Sequence, residues 1–128
     1  MEELRRAIDR RRPRALTQSQ AAAISKALAA GPAAHISVSA VLGDPEALRY
    51  ATQLRQAIAA GGWQVDGIRQ SLFSEQMVGV LIFVGGDPPP SAANVVFRAL
   101  GAAGLTAQGN VDPTANPDSV SLVVGAHR

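Results

Sequence analysis

The chain has 128 residues, of which 47% are hydrophobic and 17% charged, the balance of one folded domain and not of a disordered chain. It contains no cysteine, which excludes disulfides and thiolate metal sites. The formal charge of +2 is unevenly spread: residues 1–14 carry six arginines against Glu2, Glu3 and Asp9, a net +3, and the remainder carries six basic and seven acidic side chains, a net −1. The basic character therefore belongs to an N-terminal run, ahead of a nearly neutral body. No apolar stretch approaches the roughly 20 residues needed to span a bilayer. Charges also fill the place where a signal peptide would have its apolar region.

In chain order, "MEELRRAIDRRRPR" predicts a short helix with Leu4 and Ile8 on one face, ended by Pro13. "LTQSQAAAISKALAAGP" predicts a helix with Thr17 as N-cap, Gln20 at capping-box spacing, Ile24 and Leu28 inward, and Gly31-Pro32 as its stop. "HISVSAVL" alternates and predicts a strand, with Ile36, Val38, Ala40 and Leu42 on one face and Ser37, Ser39 and Val41 on the other. In "GDPEALRYATQLRQAIAAGG", Asp44 is suited to N-cap, Pro45 to N1 and Gly61-Gly62 to the exit. Its inward stripe is Ala47, Tyr50 or Ala51, Leu54, Ala57 and Ile58. "WQVDGIRQ" predicts a second strand and "VGVLIFV" a third, apolar on both faces and so central in its sheet. A helix over about Ser91–Ala103 follows, with Gly104 just past its end. "LTAQGNV" predicts a weak fourth strand, "DPTANPD" a loop and "SVSLVVG" a fifth strand.

Two segments share a pattern. "AVLGDPEALRYATQLRQAIAAGGW" and "FVGGDPPPSAANVVFRALGAAGL" each contain a strand ending in Gly-Asp-Pro, a helix and a glycine-terminated exit. This predicts two βαβ halves, a leading helix and an added last strand. About seven residues without helical pattern join the halves, which suits an antiparallel hairpin better than a parallel return. The favoured topology is therefore ferredoxin-like, with a three-layer doubly wound α/β fold as the alternative. The expected organisation is a basic lead-in over residues 1–15 and a single α/β domain over 16–128, expected to fold from Leu16 onward without the lead-in.

The stretch "LIFVGGDPPPS" raises the question of a phosphate loop. It has no Lys-Ser/Thr pair, Asp87 would repel an anion, and its prolines remove N–H donors. Gly85-Gly86 therefore reads as a strand end, with Asp87 or Ser91 capping the next helix. Trp63, opening a strand after a helix stop, reads as a core lid, not a stacking platform. His35 and His127, the only two histidines, belong to no nucleophile-elbow or metal-ligand spacing. The sequence thus presents no catalytic, cofactor or metal residue set.

The candidate contacts are of two kinds. Arg5, Arg6, Arg10, Arg11, Arg12 and Arg14 are candidates for an anionic membrane surface, and less so for nucleic acid, since no aromatic residue stands among them to stack a base. Asp44, Gly85, Gly86 and Asp87, in the loops after strands one and three, are the candidate ligand loops, where open α/β sheets often bind.

The runs "GDPEALRYATQLRQAIAAGGW", "VGVLIFVGG", "PPPSAANVVFRALGAAGL" and "SVSLVVGAHR" resemble soluble C-terminal α/β domains of uncharacterised bacterial membrane-anchored proteins, over about residues 16–128. The resemblance implies a cytoplasmic domain preceded by transmembrane helices and a basic or coiled segment, so that the present chain would be a fragment. It carries no catalytic residues. The expectation is a non-catalytic binding or sensory module whose partner is another protein or an anionic membrane surface. Its rivals are a small-ligand-binding or enzymatic domain using the two loops, and a nucleic-acid-binding module led by the arginines.

Overall fold

The structure is a computed structural model that describes residues 13–73, 77–86, 91–116 and 119–127. The helix expected within residues 1–12 and the Asp87 cap lie outside the described residues. Among the described residues three helices and six strands follow in the order α1 (Gln18–Ala29), β1 (His35–Val41), α2 (Pro45–Ala60), β2 (Gln64–Val65), β3 (Arg69–Ser71), β4 (Val80–Val84), α3 (Ser91–Ala102), β5 (Ala107–Val111) and β6 (Val120–Val124). This is a mixed α/β fold.

Local chemistry sets the helix ends. Thr17 and Gln20 form a reciprocal capping box, Thr17 Oγ1 accepting from the Gln20 N–H at 3.1 Å and the Gln20 side chain accepting from the Thr17 N–H at 3.0 Å. Asp44 caps α2, its Oδ1 accepting from the Ala47 N–H at 3.1 Å, with Pro45 at the first helical position. Ala47, Tyr50, Ala51, Leu54, Ala57 and Ile58 form its buried stripe, as the spacing predicts. β1 ends at Val41, and Leu42, expected inward, is 47% exposed. The chain has already turned there towards the left-handed Gly43.

The sheet runs β2-β1-β6-β4-β5, with β3 also pairing with β1. β1 is parallel to β2, β3 and β6, β4 is parallel to β5, and β6 meets β4 antiparallel. β4 is therefore interior, as its two-faced apolar sequence predicts. The ferredoxin-like order is corrected. In that order the strands of the two βαβ units interleave, whereas here each unit returns to a neighbouring strand. β6 enters between the units because its apolar residues suit a central position: Val120, Leu122, Val123 and Val124 are all buried. β3 and β4 run in opposite directions, as the short connection requires, but β1 and β6 stand between them, so they form no hairpin.

The second strand is also corrected. It divides at residues 66–68 into β2 and β3, where the pairing with β1 slips by one residue; Arg55 reaches back from α2 to this point, its Nε donating to the Asp66 carbonyl at 2.9 Å. Trp63 is buried in the core, consistent with a lid.

Among the described residues the helices form one layer, where a doubly wound fold has two. α2 packs on β1 and β6, α3 on β4 and β5, and α1 lies against both helices. Ile24 and Leu28 of α1 share one core with Ile36, Val38, Ile82, Val84, Leu122 and Val124. Ser25 Oγ donates to the Ala57 carbonyl at 2.8 Å, and Gln20 Nε2 donates to the Ala103 carbonyl at 3.3 Å, tying α1 to its neighbours. At Gly61 an added Cβ would lie 2.8 Å from Leu28 Cβ, so the absence of a side chain lets α1 approach the end of α2.

Candidate functional site

The two candidate ligand loops are not brought together. β1 and β4 run in opposite directions, so Gly43-Asp44 and Gly85-Gly86 lie at opposite ends of the sheet. The Asp44 carboxylate is turned onto its own helix. Gly85 is buried against its own chain, and an added Cβ there would strike the backbone of Asn116. The glycine there accommodates the crossing backbone of Ala115 and Asn116.

Of the six candidate arginines, the structure describes Arg14. Its Nη2 donates to Glu46 Oε1 at 2.6 Å and to the Gly125 carbonyl at 2.6 Å, and its Nε donates to Glu46 Oε2 at 3.0 Å. The backbone N–H of Arg14 adds a bond to Glu46 Oε2 at 2.7 Å. The guanidinium also stands 4.9 Å from the centre of the Tyr50 ring, a cation–π arrangement. Burial pushes the Glu46 carboxyl up, but the hydrogen bonds and charge of Arg14, aided by His127, outweigh it and hold the group below its ordinary value. Burial pushes the Tyr50 phenol up. Arg14 is thus a fastener between the lead-in and the body, committed to the body's own groups. Charge counting grouped it with its neighbours, and only Glu46, placed on α2 by the fold, distinguishes it.

Among the described residues no three His, Cys, Asp or Glu side chains gather where they could hold a metal, and none of the buried residues is polar or charged. His35 pairs with Asp66 at 3.0 Å on the surface, and the bond from His35 holds the Asp66 carboxyl below its usual range. Among the described residues the buried Trp63 Nε1 has no hydrogen-bond partner.

Of the concave regions among the described residues, one lies between α1 and α2 around Ser25, Gln53 and Ala57, and two flank the sheet. The first of these two lies on the helix side of the sheet, where α3 crosses the last strand. Ile82 and Val84 of β4, Ala93, Asn94 and Phe97 of α3, and Gly109, Asn110 and Val111 of β5 enclose about 240 Å³. Ala93 and Phe97 are four apart and share a helix face. Ala93 is buried, whereas Phe97 and Val111 at the rim are 48% and 55% exposed.

This groove adjoins the outer edge of β5, which no other described strand covers. The Asp112 N–H donates inward to the Val84 carbonyl at 2.7 Å. Backbone groups alternate in direction along a strand, so Gln108 and Asn110 also bond inward. Ala107, Gly109 and Val111 consequently point their N–H and C=O groups outward. β5 ends in an Asx turn, Asp112 Oδ1 accepting from the Thr114 N–H at 3.0 Å and from Thr114 Oγ1 at 2.6 Å. Those bonds hold the Asp112 carboxyl below its usual range.

The sheet's two edges differ. β2 and β3 are short, broken by the bend at residues 66–68, and bordered by Asp66 and Arg69, devices that blunt an edge. β5 is unbroken over five residues and carries no charge and no proline. The sequence signal was present in "AQGNV" as a weak strand, but its meeting with Phe97 is a long-range fact.

The second of the two lies on the opposite face of the sheet, beside Phe73 and Met77. Ser39, Ser71, Asp112 and Ser121 stand around Phe73, Met77, Phe83 and Val123, enclosing about 240 Å³. Ser121 is already engaged, its Oγ 2.8 Å from Ser37 Oγ. Met77 is held against Gly125, where an added Cβ would strike its backbone, and by the Ala126 N–H, which donates to the Met77 carbonyl at 2.9 Å.

No protein-family model, curated protein or solved structure matches the chain. Among the described residues no helix is long and apolar enough to cross a membrane.

Proposed function

We propose that this is a non-catalytic interaction module that takes up an extended chain segment along the outer edge of β5. The supporting observation is the combination at one place of outward backbone groups on Ala107, Gly109 and Val111 with an apolar groove between Phe97 and Val111. A strand laid on that edge would be held by main-chain hydrogen bonds, and alternate side chains would drop into the groove. That is the chemistry of strand addition. It needs no acid, base or metal.

The partner chemistry is then an extended peptide with an apolar residue at alternate positions. The basic run at Arg5, Arg6, Arg10, Arg11 and Arg12 would supply attraction to an anionic surface, about 1 kcal/mol per basic residue close to it. In this reading the module works beside the cytoplasmic face of a membrane. The groove around Ser39, Ser71 and Asp112 supports a second reading, a small-ligand site of mixed polarity.

The test is selection from a displayed random-peptide library against the full chain, followed by NMR titration of the enriched peptides. Alternating apolar residues are expected in the peptides, with amide shifts concentrated on residues 107–111 and α3, and binding lost in Val111→Lys. Peptides that bind Val111→Lys equally well, or shifts centred on Ser39 and Ser71, would refute the edge as the site.

A further inference from the structure

We infer that the β5 edge also pairs with itself, joining two copies of this chain through one continuous sheet. This rests on the edge reading above and names a second copy as the occupant. The argument begins with register. Three residues of β5 face outward, and Gly109 is the middle one, so a two-fold axis perpendicular to the sheet and just outside Gly109 places it opposite Gly109 of the second copy. Ala107 then stands opposite Val111 of that copy, and Val111 opposite Ala107. In an antiparallel pair, facing residues that exchange both bonds alternate with residues that exchange none. The three outward positions of each copy match that alternation, giving roughly six hydrogen bonds. No outward group between Ala107 and Val111 lacks a counterpart.

Charge supports the same occupant. A charge close to the axis of a self-pairing edge would meet its own sign on the second copy. From Leu105 to Val111 the chain holds no charged residue. The first is Asp112, and in this register the two copies of it stand at opposite ends of the paired strands. Gln108 faces Asn110 of the second copy, amide to amide, so each can donate and accept. On the helix side, α3 lies over β4 and β5, so the α3 helices of the two copies become neighbours and the half-exposed Phe97 is covered.

Area sets the class of interface. Roughly six bonds at about one per 100–200 Å² correspond to roughly 600–1,200 Å², at or below the lower limit of stable interfaces, about 1,200 Å². The dimer therefore belongs with transient, reversible interfaces. A peptide of the kind proposed above competes with it.

The native chain has no cysteine, so one introduced thiol reports the register. Gly109 has open space where a Cβ would stand. Facing Cα atoms in such a pair lie about 5.5 Å apart, within disulfide range. Ala107→Cys is the control, because residue 107 would lie roughly 13 Å along the strand from its own copy. Sedimentation of the full chain is expected to show concentration-dependent dimerisation, weakened at least tenfold by Val111→Lys. Gly109→Cys is expected to form an inter-chain disulfide under mild oxidation much faster than Ala107→Cys. A monomer at all concentrations that still binds selected peptides at β5 would overturn the self-pairing and leave the edge reading standing. A dimer insensitive to Val111→Lys, or equal cross-linking of the two variants, would overturn the self-pairing too, and peptide binding that also survives Val111→Lys would overturn the edge reading with it. Circular dichroism of each variant separates these outcomes from misfolding.

Discussion

Replacing Arg14 with alanine tests whether the end of the lead-in is part of the folded body. The substitution removes two charged hydrogen bonds to Glu46, one to the Gly125 carbonyl and the stacking on Tyr50, and leaves the backbone bond from residue 14 to Glu46 in place. The ion pair is mostly shielded, with side-chain exposures of 12% and 23%. It therefore falls between exposed pairs, worth about 0–1 kcal/mol, and buried pairs whose disruption costs about 3–5 kcal/mol; about 1–2 kcal/mol is reasonable. The cation–π contact adds about 0.5–1 kcal/mol, and water can replace part of the bond to Gly125. The total is about 2–3 kcal/mol.

Urea denaturation followed by circular dichroism reads this directly. The midpoint should fall without a change in slope, because the surface exposed on unfolding hardly changes. For a chain of this length the melting temperature should fall by roughly 10 °C. Arg14→Lys keeps the charge without the planar fork and should recover only part of the loss. Removing residues 1–12 should leave stability nearly unchanged, whereas removing 1–14, which also takes away the backbone bond to Glu46, should cost at least as much as Arg14→Ala. A loss below about 0.5 kcal/mol in Arg14→Ala, or equal stability of the two truncations, would show that the contact is incidental.

Asp44→Ala should destabilise by about 0.5–2 kcal/mol through loss of the α2 cap, and an unchanged urea midpoint would contradict it. Gly85→Ala should cost about 1–3 kcal/mol or more, since the new methyl group meets the Asn116 backbone; Gly101→Ala, with open space around it, should cost nothing, and equal effects would refute the packing argument. Because the folded Glu46 carboxyl is held below its ordinary value, its contribution is present above the unfolded glutamate range, about pH 4.3, and is lost as pH falls through the folded value. Acid titration of stability should therefore be steeper in the native chain than in Glu46→Gln, and parallel curves would exclude the linkage. Binding to anionic vesicles at low salt should disappear when residues 1–12 are removed and persist in Arg14→Ala, whose lost guanidinium was already engaged; co-sedimentation measures both, and equal losses would assign Arg14 to the membrane contact after all.

The parts of this fold that could be read from sequence are those decided within a few residues. Thr17 with Gln20, and Asp44 with Pro45, announce helix starts because a cap is satisfied by its own first turn. β4 announces an interior position because Leu81 is apolar on one face while Val80, Ile82 and Val84 are apolar on the other. Strand order could not be read in the same way. The alternation in "SVSLVVG" suits any neighbour, and nothing local says that Leu122 will stand between Val38 and Ile82. The break between β2 and β3 is a slip in register against β1, and the side chain that meets it, Arg55, lies eleven residues before Asp66. The fastening of Arg14 depends on Glu46, 32 residues away.

The candidate site follows from that same non-local choice. Had β4 returned beside β1, as ferredoxin-like pairing requires, the two units would have interleaved. Placing β6 between them instead satisfies the apolar residues on both its faces and sends β2 with β3 to one margin and β5 to the other. The first margin is short, bent and flanked by charge, so it offers little to a new strand. The second is straight, neutral and beside a groove that Phe97 and Val111 leave half exposed. Neither property of β5 is needed to hold the core, because Gln108 and Asn110 already bond inward while Ala107, Gly109 and Val111 turn their backbone groups away. A lysine on the edge would discourage pairing without disturbing any inward bond. That β5 has none makes this margin, among the described strands, the place where the sheet can be extended.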